Sequence, residues 1–199
     1  MRNRWFTVIA AWLLLWTAWA GAGEPTEQLK TTVDEVLKIV NSPEFNKKTQ
    51  DRRKLLKKAV EPRFDFNEMS KRALGQHWRG MNTEERQEFV KLFTDFLENA
   101  YSAAIDSYRY QGEKVVFLKE KVDDSYADIE TKILKGPKEF PVGYRMHRAE
   151  DQWKVYDVTI EGVSIVNNFR SQFAKILANA SVAELLTRLR TKQKDLLAQ

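Results

Sequence analysis

The hydrophobic periodicity of this chain changes twice along its length, and those two changes constrain its fold more than any other feature. From Thr26 to Tyr108 apolar residues recur at helical spacing, after Gln111-Gly112 they fall into extended runs, and from Ser164 the helical spacing returns. The extended part comprises Lys114–Val122, Tyr126–Leu134, Phe140–Arg148 and Trp153–Ile160. Asp123-Asp124-Ser125, Lys135-Gly136-Pro137-Lys138 and Ala149-Glu150-Asp151-Gln152 separate them. Separators that short and polar suit hairpins, so the runs predict an antiparallel meander of four strands. Ile129, Thr131 and Ile133 alternate with Asp128, Glu130 and Lys132, which gives that strand one wet face. The expected fold class is α+β: a twisted four-stranded antiparallel sheet flanked by helices.

Within the helical parts, Leu29, Val33, Val36, Leu37 and Val40 mark one amphipathic helix that Asn41-Ser42-Pro43 stops. Thr49 to Val60 carries Asp51, Arg52, Arg53, Lys54, Lys57 and Lys58 around Leu55, Leu56 and Val60, and predicts a short basic surface helix. Asp65 or Asn67 caps a helix that Gly75 ends, with Trp78 in the following turn. The longest stripe starts at Asn82 or Thr83, where Glu85 completes a capping box, and runs from Phe89 through Phe93, Leu97, Tyr101 and Ile105 to about Tyr108. Near the end, Ser164 caps a run with Ile165, Phe169, Phe173 and Leu177, and Ser181 to Glu184 forms a second capping box before Leu185. Neither a repeat nor a long linker divides residues 23–199, which predict a single domain.

The first residues have a different character. Arg2 and Arg4 precede a run from Trp5 to Trp19 without a charge, and Ala18-Trp19-Ala20-Gly21-Ala22 supplies small residues for cleavage after Ala20 or Ala22. Positive, apolar and small segments in that order mark residues 1–22 as a secretory signal peptide, the rival reading being an uncleaved anchor of about 20 apolar residues. Removing it takes away Arg2 and Arg4, which leaves 31 basic residues against 28 acidic ones. A net charge of +3 on an exported chain is a weak argument for nucleic acid. The chain has no cysteine, which excludes disulfides, thiolate metal sites and a Cys nucleophile.

Catalytic patterns are equally scarce. There is no G-x-S-x-G elbow, P-loop or G-x-G-x-x-G, and no cofactor is implied. The two histidines, His77 and His147, have no ligand partner at metal spacing on their own elements, so no metal site is expected. Asp157 stands out between Tyr156 and Val158 in an apolar strand. Burial there could make it a base. The ordinary reading pairs it with a cation such as Arg170 or with backbone donors, because buried charges are usually compensated.

The segment from Trp153 to Phe173, W-K-V-Y-D-V-T-I-E-G-V-S-I-V-N-N-F-R-S-Q-F, is not generic. It resembles the MlaC family, also known as toluene-tolerance proteins, which are periplasmic phospholipid-binding proteins of Gram-negative bacteria. The resemblance extends to Phe64-Asp65-Phe66, to Ala73-Leu74-Gly75 with Trp78, and to the helix start Thr83 to Phe89. It implies that helices and sheet enclose an apolar pocket for acyl chains, and that the protein is a carrier in the periplasm rather than an enzyme. It also implies partners: an outer-membrane lipoprotein complex and an inner-membrane ABC-type transporter complex, approached by a monomer.

Helical and strand positions then nominate the pocket lining: Phe93, Leu97, Tyr101 and Ile105 from the long helix, and Phe117, Tyr144, Met146 and Val155 from the sheet. Trp78, Val163, Val166 and Phe169 are rim candidates. Lining a pocket and filling a core make the same demand on a sequence, so these patterns do not separate the two. The basic segment Arg52 to Lys58 is a candidate partner surface, with a solvated helix face as the ordinary alternative. The main functional rival is an isomerase-like enzyme with Asp157 and His147 in an apolar cavity, and the other is a carrier of a different apolar ligand.

Overall fold

A computed structural model describes residues 24–46, 49–107 and 111–197, with the side chains of 45, 46, 49, 100–107 and 192–197 left aside. The expected signal peptide, both cleavage points and Tyr108 lie outside the described residues. So do the side chains of Tyr101 and Ile105.

Among the described residues, six α-helices surround one antiparallel sheet. They are α1 (Glu24–Asn41), α2 (Thr49–Val60), α3 (Phe66–Leu74), α4 (Thr83–Ser107), α5 (Ile165–Leu177) and α6 (Val182–Leu197). The caps are those expected from the residue types. Asp65 accepts from the Glu68 N–H at 2.8 Å to start α3. Asn82 and Glu85 satisfy each other's backbone N–H groups at 2.8 and 2.9 Å ahead of α4, a reciprocal capping box. Ser164 accepts from the Asn167 N–H at 3.0 Å to open α5. The basic helix α2 departs from expectation. Arg52 is only 1% exposed and shares the inward side with Leu56 and Ala59, while Leu55 is turned out, so the cationic surface is narrower than Arg52 to Lys58.

The sheet is a simple meander in the order β1 (Lys114–Asp123), β2 (Tyr126–Lys135), β3 (Lys138–Ala149), β4 (Gln152–Ile160) and β5 (Val163–Ser164). It therefore has five strands, not four. The fifth arises because Glu161 and Gly162, at φ +49° and +84°, make the two-residue turn with paired positive φ values that reverses a strand tightly, so Val163 pairs back onto Ile160. Beyond that short strand, Phe64 bridges Val155 and the Asp65 N–H donates to the Val155 carbonyl at 2.9 Å, which occupies part of the remaining β4 edge.

Two apolar clusters result. One lies among helices: Met69, Ala73 and Leu74 of α3, Phe89, Phe93 and Leu97 of α4, Phe173 of α5 and Leu185, Leu186 and Leu189 of α6. The other is built on the sheet, where Ile129, Val142, Met146, Trp153, Val155 and Val158 meet Leu29 of α1. Arg63 ties α1 to β4 above it, donating to Gln28 Oε1 at 2.7 Å and to the Trp153 carbonyl at 2.6 Å.

Candidate functional site

Cross-strand register defines what each face of the sheet presents. Ala127, Ile129 and Thr131 pair with Met146, Tyr144 and Val142, which in turn oppose Val155, Val158 and Ile160. Directly opposed residues share a face, so these nine form one inner surface, and Phe117 joins it opposite Thr131. The other face carries Asp128, Glu130, Arg145 and Lys121.

A β-bulge explains how a charged residue fits into β4. Arg145 pairs with Asp157 and Met146 pairs with Val155, so Tyr156 is an extra residue on β4. Strict alternation from Val155 would place Asp157 on the apolar inner face; the bulge turns it to the outer one and keeps both Val155 and Val158 inside. There Asp157 is 2% exposed and accepts from the Ser164 hydroxyl at 2.6 Å and the Val166 N–H at 3.1 Å. Its cation is Arg145 at 3.5 Å, not Arg170. Arg170 instead lies against Gly75, where an added Cβ would come within 3.0 Å of its Nε. Asp157 thus satisfies a first-turn donor of α5 and fastens that helix to the sheet.

His147 does not join Asp157. Its Nε2 meets Asp65 Oδ2 at 2.9 Å, joining β3 to the residue that caps α3. Tyr156 lies beside it, ring centroids 5.9 Å apart, with the Arg72 guanidinium 4.0 Å above the Tyr156 ring. The Asp157–His147 pair of the enzyme-like reading is therefore absent, each group being engaged elsewhere. Among the described residues no cluster of three or more His, Asp or Glu side chains could hold a metal.

The nominated lining residues separate into two groups. Phe117, Tyr144, Met146 and Val155 converge on the inner face of the sheet. Phe93, Leu97, Val166 and Phe169 belong to the helical cluster, where Phe93 stacks on Phe89 at 5.6 Å and meets Phe169 and Phe173 edge-on at 5.1 and 5.6 Å. Trp78 borders a surface depression of about 500 Å³ with Asn67, Thr83, Arg86 and Val90, its ring under Arg86. Val163 stands on β5, 61% exposed. Sequence reasoning left out Ile129, Val142 and Val158, which share the inner face. The alternation of Ile129, Thr131 and Ile133 carried that signal, but strand register was needed to set them beside Tyr144.

Tyr144 combines two properties. Burial pushes its phenol pKa above the ordinary 10.0, with Thr131 beside it acting in the opposite sense. As whole residues Tyr144, Phe117 and Ile133 are half-buried, whereas Ile129, Thr131 and Met146 are fully buried, and Tyr144 also borders the groove of the outer face. The outer face differs in kind. A groove of about 410 Å³ there is floored by Gly143 and edged by Lys119, Lys121, Asp128, Glu130 and Arg145, charges that oppose one another across the strands.

Comparison with known proteins agrees with this arrangement. The MlaC protein family matches residues 30–191. The intermembrane phospholipid transport system binding protein MlaC of Haemophilus influenzae is 23% identical over 197 residues, spanning 94% of this chain and 92% of that protein. The toluene tolerance protein ttg2D of Pseudomonas putida is 26% identical over 179 residues, spanning 87% and 81%. The structure of a Ralstonia solanacearum phospholipid-binding protein, solved in complex with a phospholipid, superposes with a TM-score of 0.78 at 24% identity, covering 87% of this chain and 99% of that one, and so shares its fold. With the family match running from within α1 to within α6, the chain belongs to the MlaC protein family.

Proposed function

We propose that this protein carries phospholipid through the periplasm between the outer and inner membranes, holding acyl chains against the inner face of its sheet, and that it is not an enzyme. The observation that carries this reading is the apolar inner face of the sheet in a chain that belongs to the MlaC protein family. Tyr144, whose phenol pKa burial pushes up, sits half-buried on that face between Ile129 and Val158. Phe117 and Ile133 pack against the same cluster, and apolar walls suit apolar cargo. Tyr101 and Ile105, nominated from helical spacing alone, are further candidates for the proposed lining.

The energetics make such a carrier necessary. A buried CH₂ group is worth about 0.8 kcal/mol, so an ordinary acyl chain costs roughly 10 kcal/mol to expose to water. An apolar pocket removes that cost without any reacting group. The head group stays wet at the mouth. An outer-membrane lipoprotein complex and an inner-membrane ABC-type transporter complex serve as donor and acceptor to a monomeric carrier, and the leader at residues 1–22 directs export. Among the described residues no helix is long and apolar enough to cross a membrane.

Solvent extraction of the purified protein followed by mass spectrometry tests this. Phospholipid near one molecule per chain is the expected result. Extraction of a quinone or other apolar compound in its place, or of nothing from protein exposed to phospholipid vesicles, would overturn the assignment.

A further inference from the structure

We infer that the β4–β5 hairpin, Ile160 to Val163, is the lip over which acyl chains enter and leave the pocket, an inference that rests on the carrier function proposed above. One row of directly opposed residues crosses the whole sheet on its inner face: Phe117, Thr131, Val142, Ile160 and Val163. Exposure climbs along it from 1% at Thr131 and 7% at Val142 to 40% at Ile160 and 61% at Val163. The floor of the inner face thus runs without a polar side chain from buried Val142 to the open edge. Large apolar side chains so exposed at the end of a buried apolar row mark a binding surface rather than a scattered surface residue.

The opposite edge is built differently. Val122 on β1 is also an exposed inner-face residue, at 45%, but polar contacts hold α1 beside it: the Thr26 N–H donates to Glu120 at 2.9 Å, and Glu24 pairs with Arg148 at 3.3 Å. At the hairpin the Glu161 N–H donates to the Pro141 carbonyl of β3 at 2.9 Å, which fixes the turn while Ile160 and Val163 stay exposed. An acyl chain moving along this row would exchange one apolar contact for the next and expose few methylenes at a time.

The absence of cysteine and the exposure of these side chains make the test direct. Val163→Asp and Ile160→Asp should slow transfer of a fluorescent phospholipid between vesicles by about tenfold, a larger effect than on extracted phospholipid per chain, the rate consequence of losing one apolar side chain's contact on the path. Leu118→Asp, 55% exposed on the bulge of β1, is the control and should transfer at the unsubstituted rate. A photoreactive phenylalanine analogue at position 163 should crosslink to bound phospholipid, and at position 118 should not. Unchanged transfer in both hairpin variants, or equal slowing by Leu118→Asp, overturns the lip while leaving the carrier intact. Failure to extract any phospholipid from the unsubstituted protein overturns the carrier itself.

Discussion

The helical cluster and the inner face of the sheet are both apolar, but they are packed differently. Among the helices, Phe89, Phe93, Phe169 and Phe173 interlock with ring centroids 5.1 to 5.7 Å apart in stacked and edge-on pairs. On the sheet, Phe117, Ile133 and Tyr144 are half-buried although Ile129 and Met146 beside them are fully buried. Aromatic interdigitation makes the first region a rigid support. On the proposed carrier function the second region holds the cargo, where strand register fixes the wall.

Phe93→Ala should break this contrast most severely. Removing a fully buried ring from four-way aromatic packing is expected to cost about 4 kcal/mol, read from denaturant unfolding, with extracted phospholipid per folded chain unchanged. Loss of phospholipid without loss of stability would move the pocket into the helices. Asp157→Asn comes next. It keeps the shape but weakens the acceptor for Ser164, Val166 and Arg145, and about 2 kcal/mol of stability should go with it. A base at Asp157 would instead show as lost turnover in a protein of unchanged stability.

Ile133→Trp sharpens the comparison from the other side. If the inner face borders space, the larger ring occupies it, and extracted phospholipid should fall several-fold while stability changes by less than about 1 kcal/mol. Leu97→Trp, within the filled cluster, should show the reverse, a loss of about 1 to 3 kcal/mol with phospholipid retained. Matching responses in the two variants would erase the distinction between lining and filling.

Most of the scaffold was legible in the chain itself, for local reasons. Asp65, Asn82 with Glu85, and Ser164 each cap the helix expected of them, because a short polar side chain and the nearest orphan N–H groups are within a few residues. The four long strands followed from alternation and polar separators. What escaped was whatever depends on chain pairing. The two-residue β5 is too short to carry a period, and the bulge at Tyr156, which sends Asp157 to the outer face and to Arg145, shows only in register. Phe93 and Tyr144 illustrate the limit for the site. Both read as large apolar positions of one interior, and only the packed structure separates a ring gripped by other rings from one set on the inner face of the sheet.

Tyr144 also supplies the smallest expected effect, visible at alkaline pH. Its pKa is raised in the folded chain by burial, so the unfolded chain releases this proton first as pH climbs past 10.0. The folded state then holds more protons than the unfolded one, and stability falls between pH 10 and the higher folded value, with no contribution below. Tyr156 shifts in the same direction, chiefly through burial and against the attraction of Arg72, so Tyr144→Phe should remove only part of the alkaline loss. Tyrosinate absorbance should show Tyr144 titrating late among the six tyrosines, and earlier once phospholipid is extracted if water then fills the space beside it. A titration of Tyr144 indifferent to extraction would place that ring in closed core, alongside Phe93 rather than in contrast to it.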